Sequence, residues 1–399
     1  MLPAPVPTQA AFGTPAYRQI TFSLFLAGIC AFAQLYFMQP LLPVLGRYFK
    51  LTPAHSSLVI SAATGALAAG LLLGTFLADR YPRKPVMSCA LISSCLLTLA
   101  AALAPTFTWL VVLSALKGFT LAGVAALAMA YLGEEVAPAA LSRSMGLYIT
   151  GTIMGGMLGR VLASLLADWF SWRVITTGLG LGCLALALEF VRRLPPSRHF
   201  MPRQQNGRAA AAAILRTAQD PTLVGLCLFA ALAMGSFVSV YNYLSFRLEA
   251  PPFSLPQHAV AGIFLLYAVG MGGAFAAGPI ADKTGLASAL AGLVLLMLGG
   301  LLATGINHLF FILVGLGVFT CSFFGAHTLA SSWVGRRTLT NKSAASSLYL
   351  FCYYAGASVV GTLSGLVLMQ HGWSSLVLWL GLLLSIAWVL TLRLGHERQ

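Results

Sequence analysis

The chain has 399 residues, 59% of them hydrophobic and only 8% charged, with a mean hydropathy of +0.87 and a formal net charge of +14. A water-soluble protein of this length needs far more charge on its surface, so composition excludes a soluble globular fold and points to a polytopic helical membrane protein. The basic excess would suit nucleic acid, but cytoplasmic loops of membrane proteins collect Lys and Arg in any case, and no nucleic-acid partner is expected.

Residues 1–19 are rich in Pro and Ala, with Arg18 the one basic residue. The apolar run behind them is too long for a signal-peptide core, so they read as a cytoplasmic tail. Apolar runs long enough to cross a bilayer of about 30 Å then place twelve spans, at 20–45, 55–78, 85–104, 107–132, 144–167, 174–191, 222–246, 258–281, 286–306, 308–334, 344–369 and 374–393. Span 1 carries Gln34, Tyr36 and Gln39 just before Pro40, and span 4 carries Lys117 and ends in Glu134 and Glu135. Span 5 sets Gly151, Gly155, Gly159 and Ala163 four residues apart and also holds Arg160. Such a stripe suits close helix packing or a sliding surface equally.

The segment 192–221 is basic and broken by Pro, with a short helix expected around 209–217 and an Asp220 N-cap ahead of Pro221. It reads as a cytoplasmic linker between two six-helix bundles, 20–191 and 222–393. Span 7 then brings Tyr241, Asn242 and Tyr243, span 10 brings His327, and span 11 brings Tyr349, Tyr353 and Tyr354, before a cytoplasmic tail at 394–399. The seven cysteines all fall in apolar runs, where they act as small packing residues and not as metal ligands. With the N-terminus inside, most of the Lys and Arg between spans fall on the cytoplasmic side, which puts both termini there.

The halves repeat. "TFLADR" at 75–80 matches "GPIADK" at 278–283, Leu116, Phe119 and Thr120 match Leu316, Phe319 and Thr320, and Gly155 and Trp172 match Gly356 and Trp373. A duplicated unit of this kind places a substrate path between the halves at mid-membrane.

The loop after span 2, "TFLADRYPRKPVM", resembles the signature Gly-x-x-x-Asp-Arg-x-Gly-Arg-Arg/Lys of the major facilitator superfamily, with Asp79, Arg80, Arg83 and Lys84 in register. Thr75 and Pro82 replace its two glycines. The second copy keeps Gly278, Asp282 and Gly285, with Lys283 in place of Arg. Within the family the chain resembles the bacterial twelve-span drug and metabolite exporters, arabinose-efflux-permease-like, although span 5 lacks the proline of the antiporter motif. The resemblance implies an all-α fold of two pseudo-symmetric six-helix bundles, a bacterial inner-membrane location, and a cytoplasmic latch built from Asp79, Arg80, Arg83, Lys84, Glu134, Glu135, Asp282 and Lys283. The family's span 4 carries an arginine followed three residues later by Gln-Gly. Here Ser114 holds the arginine position and Lys117-Gly118 the other, which keeps a cation on the same helix face.

No Asp or Glu falls near mid-depth. Lys117 lies roughly 15 Å and Arg160 roughly 10 Å below the outer ends of their spans. A buried cation costs about 2.5–3.5 kcal/mol on insertion scales, so both are expected to face a polar cavity. With Gln34, Gln39, Tyr241, Asn242, Tyr353 and Tyr354 they form the expected substrate-binding set. His327 is the candidate proton carrier, a packing histidine being the alternative.

The expected function is alternating-access secondary transport, with proton-coupled efflux of a small molecule first and uptake or exchange of an organic anion second. A membrane enzyme or sensor would need converging catalytic residues or a soluble domain, and neither is visible. No nucleotide-binding loop is present, so no cofactor beyond the proton gradient is expected. The partners expected are the substrate and membrane lipid, with the protein a monomer.

Overall fold

The computed structural model describes residues 9–78, 80–202, 207–338 and 342–396. Among them the chain is almost wholly helical, and the one extended pairing is a bridge between Ala10 and Val136. Span 1 runs Pro15–Tyr36, starting under a Thr14 cap whose hydroxyl accepts from the Tyr17 N–H. It stops nine residues earlier than the apolar pattern suggests. Pro40 has no N–H and disfavours helix at Gln39, so the chain turns and resumes as Leu42–Phe49.

Span 2 is Pro53–Ser56 joined to Leu58–Ala78, span 3 Arg83–Ala102, span 4 Phe107–Glu135, span 5 Pro138–Leu166 and span 6 Trp172–Arg193. The linker helix is Gly207–Thr217. Span 7 is Pro221–Glu249, and the Asp220 side chain caps it as expected by accepting from the Thr222 N–H. Span 8 comes in two pieces, Gln257–Phe264 and Tyr267–Thr284, followed by span 9, Leu286–Ala303, and span 10, Leu309–Arg337. Spans 11 and 12 lie within one run, Lys342–His396, that turns at Gly372, where φ of 75° suits a residue without Cβ.

The repeat seen in the sequence is a repeat of packing. A Cβ on Gly155 would lie 2.3 Å from the Ile29 carbonyl oxygen, and one on Gly356 would lie 2.1 Å from that of Ala231. Spans 5 and 1, and spans 11 and 7, therefore touch backbone to backbone. Small residues drive such contacts where lipid offers no hydrophobic force between helices.

One face gathers the N-terminal segment, the linker and the C-terminal end. The Ala10 N–H donates to Glu135 O, Glu135 accepts from the Arg198 and His199 N–H groups, and Leu394 packs over Gly225. We call this the linker face and its opposite the far face.

The halves are joined toward the far face. Tyr243 Oη donates to Ser57 Oγ at 2.9 Å, Ser358 Oγ to Ser61 O at 2.7 Å, and Ser164 Oγ to Gln257 O at 2.8 Å. An ion pair, Arg47–Glu249 at 2.7 Å, and a hydrogen bond between His258 Nδ1 and Asp168 at 2.6 Å add to them. Among the described residues no hydrogen bond joins spans 1–6 to spans 7–12 at the linker face.

Candidate functional site

Arg160 is the centre of the polar contacts between the halves. It is 2% exposed, and no acidic residue pairs with it among the described residues. Its Nε donates to Gln39 Oε1 at 2.6 Å and its Nη1 to Gly156 O at 2.7 Å. The guanidinium lies between two rings, with Tyr36 of span 1 at 4.3 Å and Tyr267 of span 8 at 4.5 Å. Gln39 in turn donates to Asn242 Oδ1 at 2.7 Å and to Val238 O at 3.3 Å in span 7. The chain Arg160–Gln39–Asn242 thus crosses from one half to the other.

Local structure explains the arrangement. Gly156 leaves room for the arginine to fold back on its own helix, since a Cβ there would sit 3.1 Å from Nη1. The break after Tyr36 frees Gln39 from helical geometry, and the break between Phe264 and Tyr267 turns that ring toward the arginine. Desolvating an unpaired cation costs several kcal/mol. Two ring faces at about 2 kcal/mol each, with hydrogen bonds of about 1.5–3 kcal/mol to the charged group, offset that without an acid.

The C-terminal half supplies aromatic surface. From Tyr267 the rings step to Phe237 (5.7 Å), Phe323 (3.9 Å from Phe237) and Tyr353 (6.3 Å from Phe323). Tyr353 lies 4.9 Å from Tyr354 and 4.5 Å from His327, whose Nδ1 shares a 3.0 Å hydrogen bond with Tyr349 Oη.

Other expected residues are placed elsewhere. Gln34 is fully buried inside the N-terminal half, where it donates to Cys30 O and Ser94 Oγ and accepts from Thr98 Oγ1. Its amide faces spans 1 and 3 and not the interface. Tyr241 Oη pairs with Thr320 Oγ1 at 2.7 Å within the C-terminal half.

Lys117 is 2% exposed, its ammonium 5.0 Å from the Phe37 ring centroid and without a hydrogen bond among the described residues. No contact brings it to Arg160. The two cations lie against consecutive rings of span 1, Phe37 and Tyr36, which leave the chain in different directions.

Asp79 lies outside the described residues. The other linker-face charges bind mainly within the N-terminal half. Arg83 Nη2 pairs with Glu134 at 2.7 Å, His199 Nδ1 meets Glu135 at 2.8 Å, and Lys84 Nζ donates to Leu194 O. Arg80 is exposed and makes no such pair among the described residues. Asp282 and Arg336 line one cleft, neither they nor Lys283 are in an ion pair among the described residues, and Arg337 binds Asp220 at 2.9 Å. Burial raises the Asp220 pKa, but the Arg337 hydrogen bond and charge and the Thr222 and Leu223 N–H groups outweigh it and hold the carboxyl below its ordinary range. At the far face, Asp168 is likewise held low, because the backbone and ring of His258 outweigh a burial effect that acts upward.

Sequence reasoning passed over Tyr267 altogether and left Tyr36 unassigned. A tyrosine near a span end is usually an interface anchor, and the only sequence signal for Tyr267 is the glycine-rich run that follows it.

Comparison with known proteins agrees with this architecture. The profile of the Major Facilitator Superfamily matches residues 24–338. An uncharacterized MFS-type transporter of Bacillus subtilis, YybF, is 40% identical over 94% of this chain and 93% of its own length. The inner membrane transport protein YnfM of Escherichia coli is 40% identical over 97% of this chain and 92% of its own. Among solved structures, a bacterial homolog of the human lysosomal transporter Spinster superposes with a TM-score of 0.79 at 14% identity, over 96% of this chain and 98% of that one. The chain belongs to the major facilitator superfamily and is a multi-pass membrane transport protein.

Proposed function

From that membership we propose that the protein is a secondary transporter that works by alternating access and exports a small molecule from a bacterial cytoplasm in exchange for protons that move inward. The observation that carries the reading is the one-sided join between the halves. Hydrogen bonds and an ion pair tie them toward the far face, and among the described residues no hydrogen bond ties them at the linker face, with Arg160, Gln39 and Asn242 between. The linker face carries the basic loops, so the positive-inside rule makes it cytoplasmic and the state inward-facing. Rocking one half on the other would break the far-face pairs and expose the same site outside. His327, hydrogen-bonded to Tyr349 at the end of the aromatic wall, is the proton carrier in this reading.

A second reading, uptake or exchange of an organic anion, is favoured by one observation: Arg160 is buried with no acid paired to it among the described residues. Proteoliposomes carrying the purified protein separate the two. Export predicts that an imposed pH gradient drives flux of a compound from an anionic, neutral and cationic panel, and that His327→Ala uncouples flux from the gradient. Exchange predicts flux that needs substrate on both sides and ignores the gradient. Flux of nothing in the panel under either condition ends both readings.

A further inference from the structure

Around Arg160, several polar groups able to donate are left over. Arg160 Nη2 makes no hydrogen bond among the described residues. Tyr36 Oη, Tyr267 Oη and Asn242 Nδ2 are buried without partners, in side chains no more than 5% exposed. The neighbouring acceptors are occupied, since Gln39 Oε1 takes the Arg160 Nε–H and Asn242 Oδ1 takes the Gln39 amide. Gln257 Oε1 is also unpartnered, but its amide belongs to the far-face seal, where it donates to Pro40 O. Leaving buried donors unmade is expensive, and a guanidinium without a counter-charge more so. Water would satisfy the hydroxyls and the amide but leave the positive charge uncompensated. An oxyanion answers both needs, because a carboxylate only accepts and offers about four lone-pair directions.

We infer that the carried molecule is an organic acid. Its carboxylate is held by Arg160 Nη2, the Tyr36 and Tyr267 hydroxyls and the Asn242 amide, and its planar unsaturated body lies along the wall of Tyr267, Phe323 and Tyr353. The rings continue from the cradle without a gap, each within 6.3 Å of the next through Phe237. Offset or edge contacts between rings favour a flat body over a saturated one of equal size. Arg160 and Tyr36 come from one half and Tyr267 and Asn242 from the other, so the anion bridges the interface that has to open. The inference rests on the transport reading for the word "carried". The binding site itself does not depend on it.

The test is binding to the full-length protein in detergent micelles, followed by calorimetry. The probes are benzoate, benzamide (its neutral amide), cyclohexanecarboxylate (the saturated acid) and benzylamine (a cation). Benzoate is expected to bind more tightly than cyclohexanecarboxylate, with benzamide and benzylamine weaker by about tenfold or more. Arg160→Gln should abolish benzoate binding. Tyr36→Phe and Tyr267→Phe keep each ring on the arginine and remove only the hydroxyl, so they test the cradle even if the arginine variant fails to fold. Each should weaken benzoate by about three- to tenfold and leave the thermal midpoint of the unliganded protein unchanged or raised. Benzamide binding as tightly as benzoate, neither acid binding at millimolar concentration, or the double Tyr→Phe variant binding like wild type would each overturn the inference. Benzoate binding without flux in proteoliposomes would leave the acid site standing and remove the transport reading. Gradient-driven flux of a neutral or cationic compound, with no acid bound, would do the reverse.

Discussion

At the repeat position of Lys117 the second half has Gly317, and at that of Arg160 it has Gly361, whereas Gly155 and Gly356 are kept. The retained pair is where two helices touch backbone to backbone, 2.3 and 2.1 Å from a would-be Cβ in either half. Of the positions that differ, Arg160 and Gly361 are at the interface between the halves. One half therefore brings both cations, with Tyr36 and Phe37 against them, and the other the run of rings from Tyr267 to Tyr353, while Gly361 leaves room beside the Asn242 amide, which would lie 3.4 Å from a Cβ there. The contrast teaches that a duplicated bundle keeps its packing contacts under one constraint while its interior chemistry can diverge, because a site between two halves needs each group supplied only once.

That contrast can be broken at several levels. The largest effect is expected from Gly155→Val and Gly356→Val, which push side chains into a facing carbonyl. Each should cost about 3 kcal/mol or more in detergent unfolding, and the two losses should match. A tolerated substitution in one half alone would mean the skeleton is not symmetric. Next, Arg160→Gln should cut substrate flux about a hundredfold, equivalent to roughly 2.7 kcal/mol in the transport step, while Gly361→Ala, at the matching position, changes it less than tenfold. Lys117→Met sharpens the picture of the N-terminal half. It replaces a buried lysine whose ammonium has no hydrogen bond among the described residues with an apolar chain of similar length, so the protein should become more stable by about 1–2 kcal/mol, read as a rise in thermal midpoint. A fall would mean that the ammonium has a stabilising partner.

The smallest effects belong to charges outside the spans. Asp220 and Asp168 are both held below the ordinary carboxylate range. A depressed folded-state pKa gives stability that is present above the unfolded value, about pH 4, and is lost as the pH falls through the folded value. Asp220→Asn and Asp168→Asn should therefore each destabilise by about 0.5–1 kcal/mol at neutral pH, and the difference from wild type should vanish below both values. The Asp168 variant should also speed opening of the far face, detectable as faster labelling of a cysteine placed at Ser61, since His258 is its partner across the halves.

Much of the fold was legible because membrane insertion makes a strong local demand. Each span has to be long, apolar and internally hydrogen-bonded, and Asp220-Pro221 marks the start of span 7 for reasons confined to its own neighbourhood, whereas the proline starts of spans 1 and 5 lie ahead of the apolar runs that place those spans. The candidate site was legible only in part. Arg160, Gln39 and Asn242 stood out as polar groups with no apolar excuse, and the structure brings them into one chain of hydrogen bonds. Gln34 stood out equally but turns inward to spans 1 and 3, a difference of helix face that its polarity cannot reveal. Depth and the family's helix face put Lys117 and Arg160 in one expected binding set, yet neither fixes which group each cation meets, and the two sit against successive rings of span 1. Tyr267 gave almost no signal, since its role depends on a helix break that turns it onto an arginine more than a hundred residues away.

The sequence by itself thus determined the class, the number of spans, the duplication and the presence of uncompensated cations, all of which follow from local composition and from energies paid residue by residue in lipid. Only the tertiary structure decided which polar groups meet, which face the halves close, and that the leftover groups around Arg160 are able to donate. Those depend on the direction of each side chain around its helix and on contacts between segments far apart in the chain, and neither leaves a trace in the order of residues.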